Sequence, residues 1–361
     1  MLSSSAVPDP LRGWLAEAVR GGASDLHLIV GHPPVLRLHG ELTALAEPLL
    51  AADSLEPLLV TLCPPAAADR LTTQRSADFS FDLPIDGRAY RFRANLFHAG
   101  GHLGACFRVI PADIPDIDWA GFPPSLADRL SALRDGLVIL TGPTGSGKTT
   151  TLAMVVNRLN LAGGYRIITV EEPVEYVFPR APHSVVTQRE VGADVPTFAD
   201  GLRSGLRQDP DVILVGEVRD RDTAQIALSA AETGHLVFTT LHTRDAKGAV
   251  TRYADLFPQD MQQPVRAQLA LGLRAVVSQR LLPGVERGAK RELALEVLWV
   301  THPVAAAIRL GKVEGIDNLI VTGRADGMQT FDEAVRQLMI AGRITRAVAE
   351  RNVSDPGLLF R

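Results

Sequence analysis

The stretch GPTGSGKT, Gly142 to Thr149, follows the apolar run GLVILT and precedes TTTLAMVVNRL, in which Leu152, Val155, Val156 and Leu159 recur at helical spacing. A strand, a glycine-rich turn and a helix in that order match G-x-x-x-x-G-K-[ST], the pattern of a phosphate-binding loop. The glycines let backbone N–H groups turn inward around phosphate oxygens, and the start of the helix adds a favourable dipole. Gly142, Pro143, Thr144, Gly145, Ser146, Gly147 and Thr150 are therefore candidate nucleotide-cradling residues. Lys148 reaches the β- and γ-phosphates, and the hydroxyl of Thr149 is offered to Mg²⁺. A glycine turn with no ligand is the alternative, and the strand before it and helix after it weigh against that.

This loop requires an α/β sheet around it, and the rest of the sequence supplies one. GLVILT, YRIITV, DVILVG and HLVFTT are short apolar strands separated by helical stretches, the pattern of a parallel sheet covered on both faces. Upstream, DLHLIV, VLRLHG and AYRFRANLF alternate apolar and polar residues, while LEPLLVTLC has helical spacing, so residues 1–112 read as a small α+β domain. The proline-rich PADIPDIDWAGFPP gives a linker over residues 113–124, ahead of a nucleotide-binding domain over 125–361. From about Thr301 the period is helical throughout.

Composition narrows the function. A formal charge of −4, from 37 Lys and Arg against 41 Asp and Glu, provides no general field for a nucleic-acid backbone, so no nucleic-acid partner is expected. The two cysteines, Cys63 and Cys106, can build neither a four-thiolate zinc site nor a disulfide framework, which fits a reducing cytoplasm. No apolar run approaches the length that crosses a bilayer, and MLSSSAVPDP lacks a signal-peptide pattern.

Two further strands end in carboxylates. DVILVGEVRD places Glu217 just beyond an apolar strand, where ligands of such sheets bind, so Glu217 can hold Mg²⁺ through water or orient an attacking water. This is a Walker B strand with glutamate instead of aspartate; the plainer alternative is a strand-end charge paired with Arg219. YRIITVEEPVEY ends in Glu171, Glu172 and Glu175, any of which could align or deprotonate water, as hydrolysis requires. Charge on the γ-phosphate calls for cations as well, and Arg91, Arg93, Arg108, Arg207 and Arg219 are candidates.

ETGHLVFTTLHT carries His235 near the beginning of a core strand and His242 just past its end, on the order of 20 Å apart at strand rise. Two imidazoles so far apart and without further ligands nearby make neither a metal site nor an acid–base pair. Ligands lie at the carboxyl ends of the strands, which makes His242 the γ-phosphate reader and His235 a packing or coupling residue.

Taken in order, GPTGSGKT, TVEEPVEY, LRQDPDVILVGEVRD and TGHLVFTTLHT resemble the secretion-superfamily ATPases, and most closely the type IV pilus retraction, or PilT-like, family. ASDLHLIVGHPPVLRLHGEL, FRVIP and GMQTFDEAV extend the resemblance over nearly the whole chain. It implies a PAS-like N-terminal domain joined to a RecA-like ATPase domain, in a homohexameric ring that hydrolyses ATP with Mg²⁺. It also implies a cytoplasmic location at an inner-membrane pilus or secretion platform, held there through partners. The second motif corresponds to the family's Asp box, with Glu172 replacing its aspartate; by position Glu175 is the catalytic base, Glu171 an accompanying catalytic carboxylate and Glu217 the Walker B residue. The fourth corresponds to the His box, which brings both His235 and His242 to the nucleotide, and Arg108 joins them from the first domain. One departure stands out: the family's AIRNLI motif is PVAAAI here, Pro303 to Ile308, with Ala305–Ala306 in place of Arg–Asn.

Overall fold

The computed structural model describes residues 7–38, 41–111, 113–286, 290–354 and 356–360. The opening residues of MLSSSAVPDP, the His39–Gly40 end of VLRLHG and Ala112, the last residue of the expected first domain, lie outside the described residues. The chain divides into two compact units, the first comprising Met1–Asp113 with Glu172–Val177 and Glu190–Asp194, the second Ile114–Glu171, Phe178–Arg189 and Val195–Arg361.

The first unit is built on a six-stranded sheet of β1 (Asp25–Leu28), β2 (Val35–Leu38), β3 (Glu41–Ala44), β4 (Ser76–Ile85), β5 (Arg88–Ala99) and β6 (His102–Ile110), in the order β3-β2-β1-β6-β5-β4. Neighbouring strands pair antiparallel throughout it. Alternation along β5 sends Phe92, Ala94 and Leu96 into the core, with Phe92 stacked on Phe81 at 5.4 Å between ring centroids. The helix Ala52–Leu62 adds Leu55, Leu59 and Leu62, spaced so that they share one face. A further helix, Leu11–Arg20, buries Leu11, Trp14, Leu15 and Ala18 in the same cluster.

The second unit holds a seven-stranded sheet of β7 (Gly136–Thr141), β8 (Arg166–Glu171), β9 (Val185–Glu190), β10 (Val212–Val215), β11 (Leu236–Leu241), β12 (Leu273–Leu282) and β13 (Glu292–Trp299). Strand order is β13-β12-β7-β11-β10-β8-β9, and β12, β7, β11, β10 and β8 run parallel to one another. Every residue of β7, β10 and β11 is buried, as expected of strands covered on both faces. The expectation of a parallel sheet is incomplete at one edge, because β13 returns antiparallel to β12. Within the proline-rich linker Asp116 caps a one-turn helix, Ile117–Ala120, by accepting from Asp118 N–H, and Pro124 occupies the first turn of the helix Pro124–Ser131. Beyond residue 301 the chain is helical, and Phe331, Val335 and Leu338 of the helix Phe331–Ile340 pack with Leu282 and Ala294.

Candidate functional site

The phosphate loop lies between β7 and the helix Lys148–Ala162. Its conformation needs glycine: Gly142, Gly145 and Gly147 have φ of 144°, 77° and 86°. A Cβ on Gly142 would meet the Gln279 carbonyl at 2.2 Å and Ser146 Oγ at 2.8 Å, so β12 closes one side of the turn. Pro143, Thr144 and Gly145 are exposed at its tip, while Lys148 is 8% exposed and its Nζ donates to the carbonyls of Gly142 at 2.8 Å and Pro143 at 3.2 Å. Thr149 and Thr150 are partly exposed in the first turn of the helix. A glycine-walled cradle, inward lysine and exposed tip fit the polyphosphate of a nucleotide.

On the neighbouring strand β11, the chain leaves the sheet through His242 and Thr243. That exit is fastened to β7: Thr141, fully buried, accepts from Thr243 N–H at 2.9 Å, and the two hydroxyls lie 2.8 Å apart. One strand further, Glu217 stands two residues past β10, and Thr240 holds that extension by donating to the Gly216 carbonyl at 2.7 Å. Glu217 is thereby brought to His242, with Nε2 3.2 Å from Oε1, while Oε2 pairs with Arg219 at 2.8 Å. The carboxylate therefore makes both the Arg219 pair and a contact with His242. Thr141, Thr240 and Thr243 carry no local sequence signal, because what they do depends on pairings between strands distant in the chain.

His235 occupies the other end of β11. Its Nδ1 lies 3.0 Å from the Ala230 carbonyl and its own carbonyl accepts from Gly136 N–H, at the amino end of β7. Next to it is a cavity of about 170 Å³ lined by Arg134, Tyr165, Asp211 and Thr233 among others. The loop that follows β7 starts at the opposite end of that strand.

The carboxylates after β8 are divided between the units. Glu171, in the second, is buried and accepts from Thr169 Oγ1 at 2.6 Å and Gln188 Nε2 at 3.2 Å. Glu172 and Glu175 belong to the first. There the backbone of Val174, immediately before Glu175, is held at both polar groups: its carbonyl accepts from Arg91 Nε at 2.6 Å, and its N–H donates to Glu190 Oε2 at 3.1 Å. The same Glu190 oxygen also accepts from Arg91 Nη2 at 2.9 Å and Ser80 Oγ at 2.6 Å. Neither Glu190 nor Ser80 is marked by motif, and this cluster had no signature in the sequence. The two other candidate arginines of the first unit are also paired within it, Arg93 with Asp78 at 3.6 Å and Arg108 with Asp25 at 2.9 Å. In the second unit Arg207 ends the helical turn after Phe198–Gly205, its N–H donating to the Ser204 carbonyl.

Among the described residues there is no group of three or more metal-ligating side chains, and no helix is long and apolar enough to cross a membrane. Thr149, in the first turn after the phosphate loop, and Glu217, just past β10, carry oxygen atoms, the hard ligands that Mg²⁺ takes together with phosphate oxygens.

Residues 3–340 match the family model described as type II/IV secretion system protein. The chain is 40% identical over 342 residues to the type IV pilus retraction ATPase PilT of Pseudomonas aeruginosa, covering 95% of this chain and 97% of that protein. It is 38% identical over 322 residues to a twitching motility protein of Neisseria gonorrhoeae, covering 89% and 84% respectively. A crystal structure of the pilus retraction motor PilT with bound ADP superposes with a TM-score of 0.85 at 40% identity, covering 97% of this chain and 99% of that one.

Proposed function

The chain belongs to the type II/IV secretion system protein family and is an ATPase of it, and from that premise we propose that it is a homohexameric motor powering type IV pilus retraction. One observation carries the hydrolytic part: Lys148 and Thr149, His242, and Glu217 follow the carboxyl ends of three adjacent strands, β7, β11 and β10. The relatives named for retraction and twitching supply the pilus, and their coverage of nearly the full length supports carrying that role over.

In this reading the loop N–H groups and Lys148 bind the phosphates of ATP, which sets the γ-phosphate in place. Thr149 and, through water, Glu217 would hold Mg²⁺. When bound, that ion neutralises charge on the β- and γ-oxygens. Glu175 takes the proton of the attacking water, on a backbone fixed by Arg91 and Glu190. Glu171 is buried at the end of β8, where its bonds to Thr169 and Gln188 give it a supporting role. His242 reads the γ-phosphate and passes its presence to Glu217. His235, bonded to a helix carbonyl at the far end of β11, acts in packing. The motor works on the cytoplasmic side of an inner-membrane platform protein.

The test is a deletion strain scored for surface pili and twitching. Excess pili without motility is the expected outcome; normal pili with a secretion or conjugation defect would overturn retraction. A second reading, an accessory or divergent ATPase of a related machine, is favoured by one feature. In the helix His302–Arg309, Ala306 is exposed where the family's motif offers a polar side chain.

A further inference from the structure

Gln279 lies in β12 one residue past Ser278, which is the register partner of Thr141 at the end of β7. It is fully buried, and its Nε2 donates to the carbonyl of Ser146, inside the phosphate loop, at 2.7 Å. Its Oε1 finds no partner among the described residues. The amide orientation is settled by that bond, because the reverse would place one oxygen against another. Burying an amide oxygen without a donor is unfavourable, and an apolar side chain of equal length would avoid it. The contact that the amide makes in return is with the loop.

That contact has a geometric consequence. In a trans peptide the C=O and the following N–H point in opposite directions within one plane. Drawing the Ser146 carbonyl toward β12 therefore turns Gly147 N–H away from β12. Gly147, at φ 86°, is the residue just before Lys148, and glycine on both sides of Ser146 leaves this plane free to rotate unless something holds it.

We propose that Gln279 is a positioning residue for nucleotide binding, which fixes the Ser146–Gly147 peptide so that Gly147 N–H faces the diphosphate of a nucleoside di- or triphosphate. The inference rests on the nucleotide reading of the loop and adds a residue from a distant strand to it. The oriented N–H serves the diphosphate common to ATP and ADP, so its loss weakens both alike and leaves the chemical step in place. This is the signature of uniform binding rather than of transition-state stabilisation.

The experiment uses the full chain with Gln279→Met, which keeps length and removes the amide, and Gln279→Glu, which keeps shape and removes the donor. Titration with a fluorescent ADP analogue is expected to show affinity lower by about tenfold in both, the scale of one lost hydrogen bond. The KM for ATP is expected to rise by the same factor, with kcat within about threefold of wild type. Melting without nucleotide, matched to wild type, establishes that the fold is intact, and the shift in melting temperature caused by ADP shrinks. ADP affinity within twofold of wild type in either folded variant would overturn the proposal, as would a loss confined to kcat. Wild-type protein that fails to bind ADP would instead remove the nucleotide reading itself.

Discussion

His242, just past the carboxyl end of β11, lies 3.2 Å from Glu217, whereas His235, just before the amino end, turns its ring to a helix carbonyl at 3.0 Å. Both flank a strand buried at every residue, and both belong to one contiguous motif. Their surroundings differ because a parallel sheet has two unlike edges. At the carboxyl edge three adjacent strands release their chains into the phosphate loop, the Glu217 segment and the His242 exit. At the amino edge the chain arrives from helices, and His235 and Thr233 there lie against the last carbonyls of the helix Arg221–Glu232. Motif membership groups the two histidines; strand direction separates them.

The largest effect should come from the carboxyl edge itself. Glu217→Gln keeps shape and removes the charge, and kcat should fall by about a hundredfold or more while ADP affinity stays within a few fold. Steady-state ATP hydrolysis beside an ADP titration checks this, and a parallel loss of affinity would make Glu217 a general binding group instead.

Next comes the question whether the first unit contributes more than a scaffold. Glu190→Gln weakens the anchor on Val174 and leaves Arg91 without its closest carboxylate, so kcat should drop by about tenfold with KM for ATP unchanged. A rise in KM at constant kcat would show that this cluster serves binding and not the placement of Glu175.

The smallest effect on activity is expected at Glu296, on β13, whose Oε1 accepts from Ala246 N–H as the chain enters the helix after His242. Burial pushes its carboxyl up to about 7, against the ordinary 4.5. A raised carboxyl favours the folded state fully below pH 4.5, and that contribution is lost as the pH climbs to about 7. Glu296→Gln should therefore stabilise the chain by about 3 kcal/mol at pH 8 and by almost nothing at pH 4. Urea denaturation at the two pH values measures it, with hydrolysis expected to change little; equal effects at both pH values would contradict the burial argument.

How far the sequence shows this arrangement depends on the range of the interactions. The strand–loop–helix around GPTGSGKT and the alternation of Phe92, Ala94 and Leu96 are local patterns, and both are plain in the chain. So is the place of Glu217 after an apolar run. The supports are of another kind: Gln279 reaches Ser146 across 133 residues and Thr141 reaches Thr243 across 102, and no period or spacing marks such pairs. LRAVVSQRLL is a short apolar run that suits a helix or a strand equally, so β12 and its antiparallel partner β13 escape notice until the sheet is assembled. The helix Ile117–Ala120 in the proline-rich linker is a single turn, too short to show a period. The anchoring of Val174 by Arg91 and Glu190 likewise needs the fold, since Arg91 alone reads as a cation awaiting a phosphate.

The unequal edges of β11 are tested most directly by ATP hydrolysis with His242→Ala and His235→Ala in the same preparation. With each variant folded, kcat is expected to be lower by about thirtyfold or more for His242→Ala and by less than about threefold for His235→Ala. Equal losses, or the larger loss at His235, would contradict it.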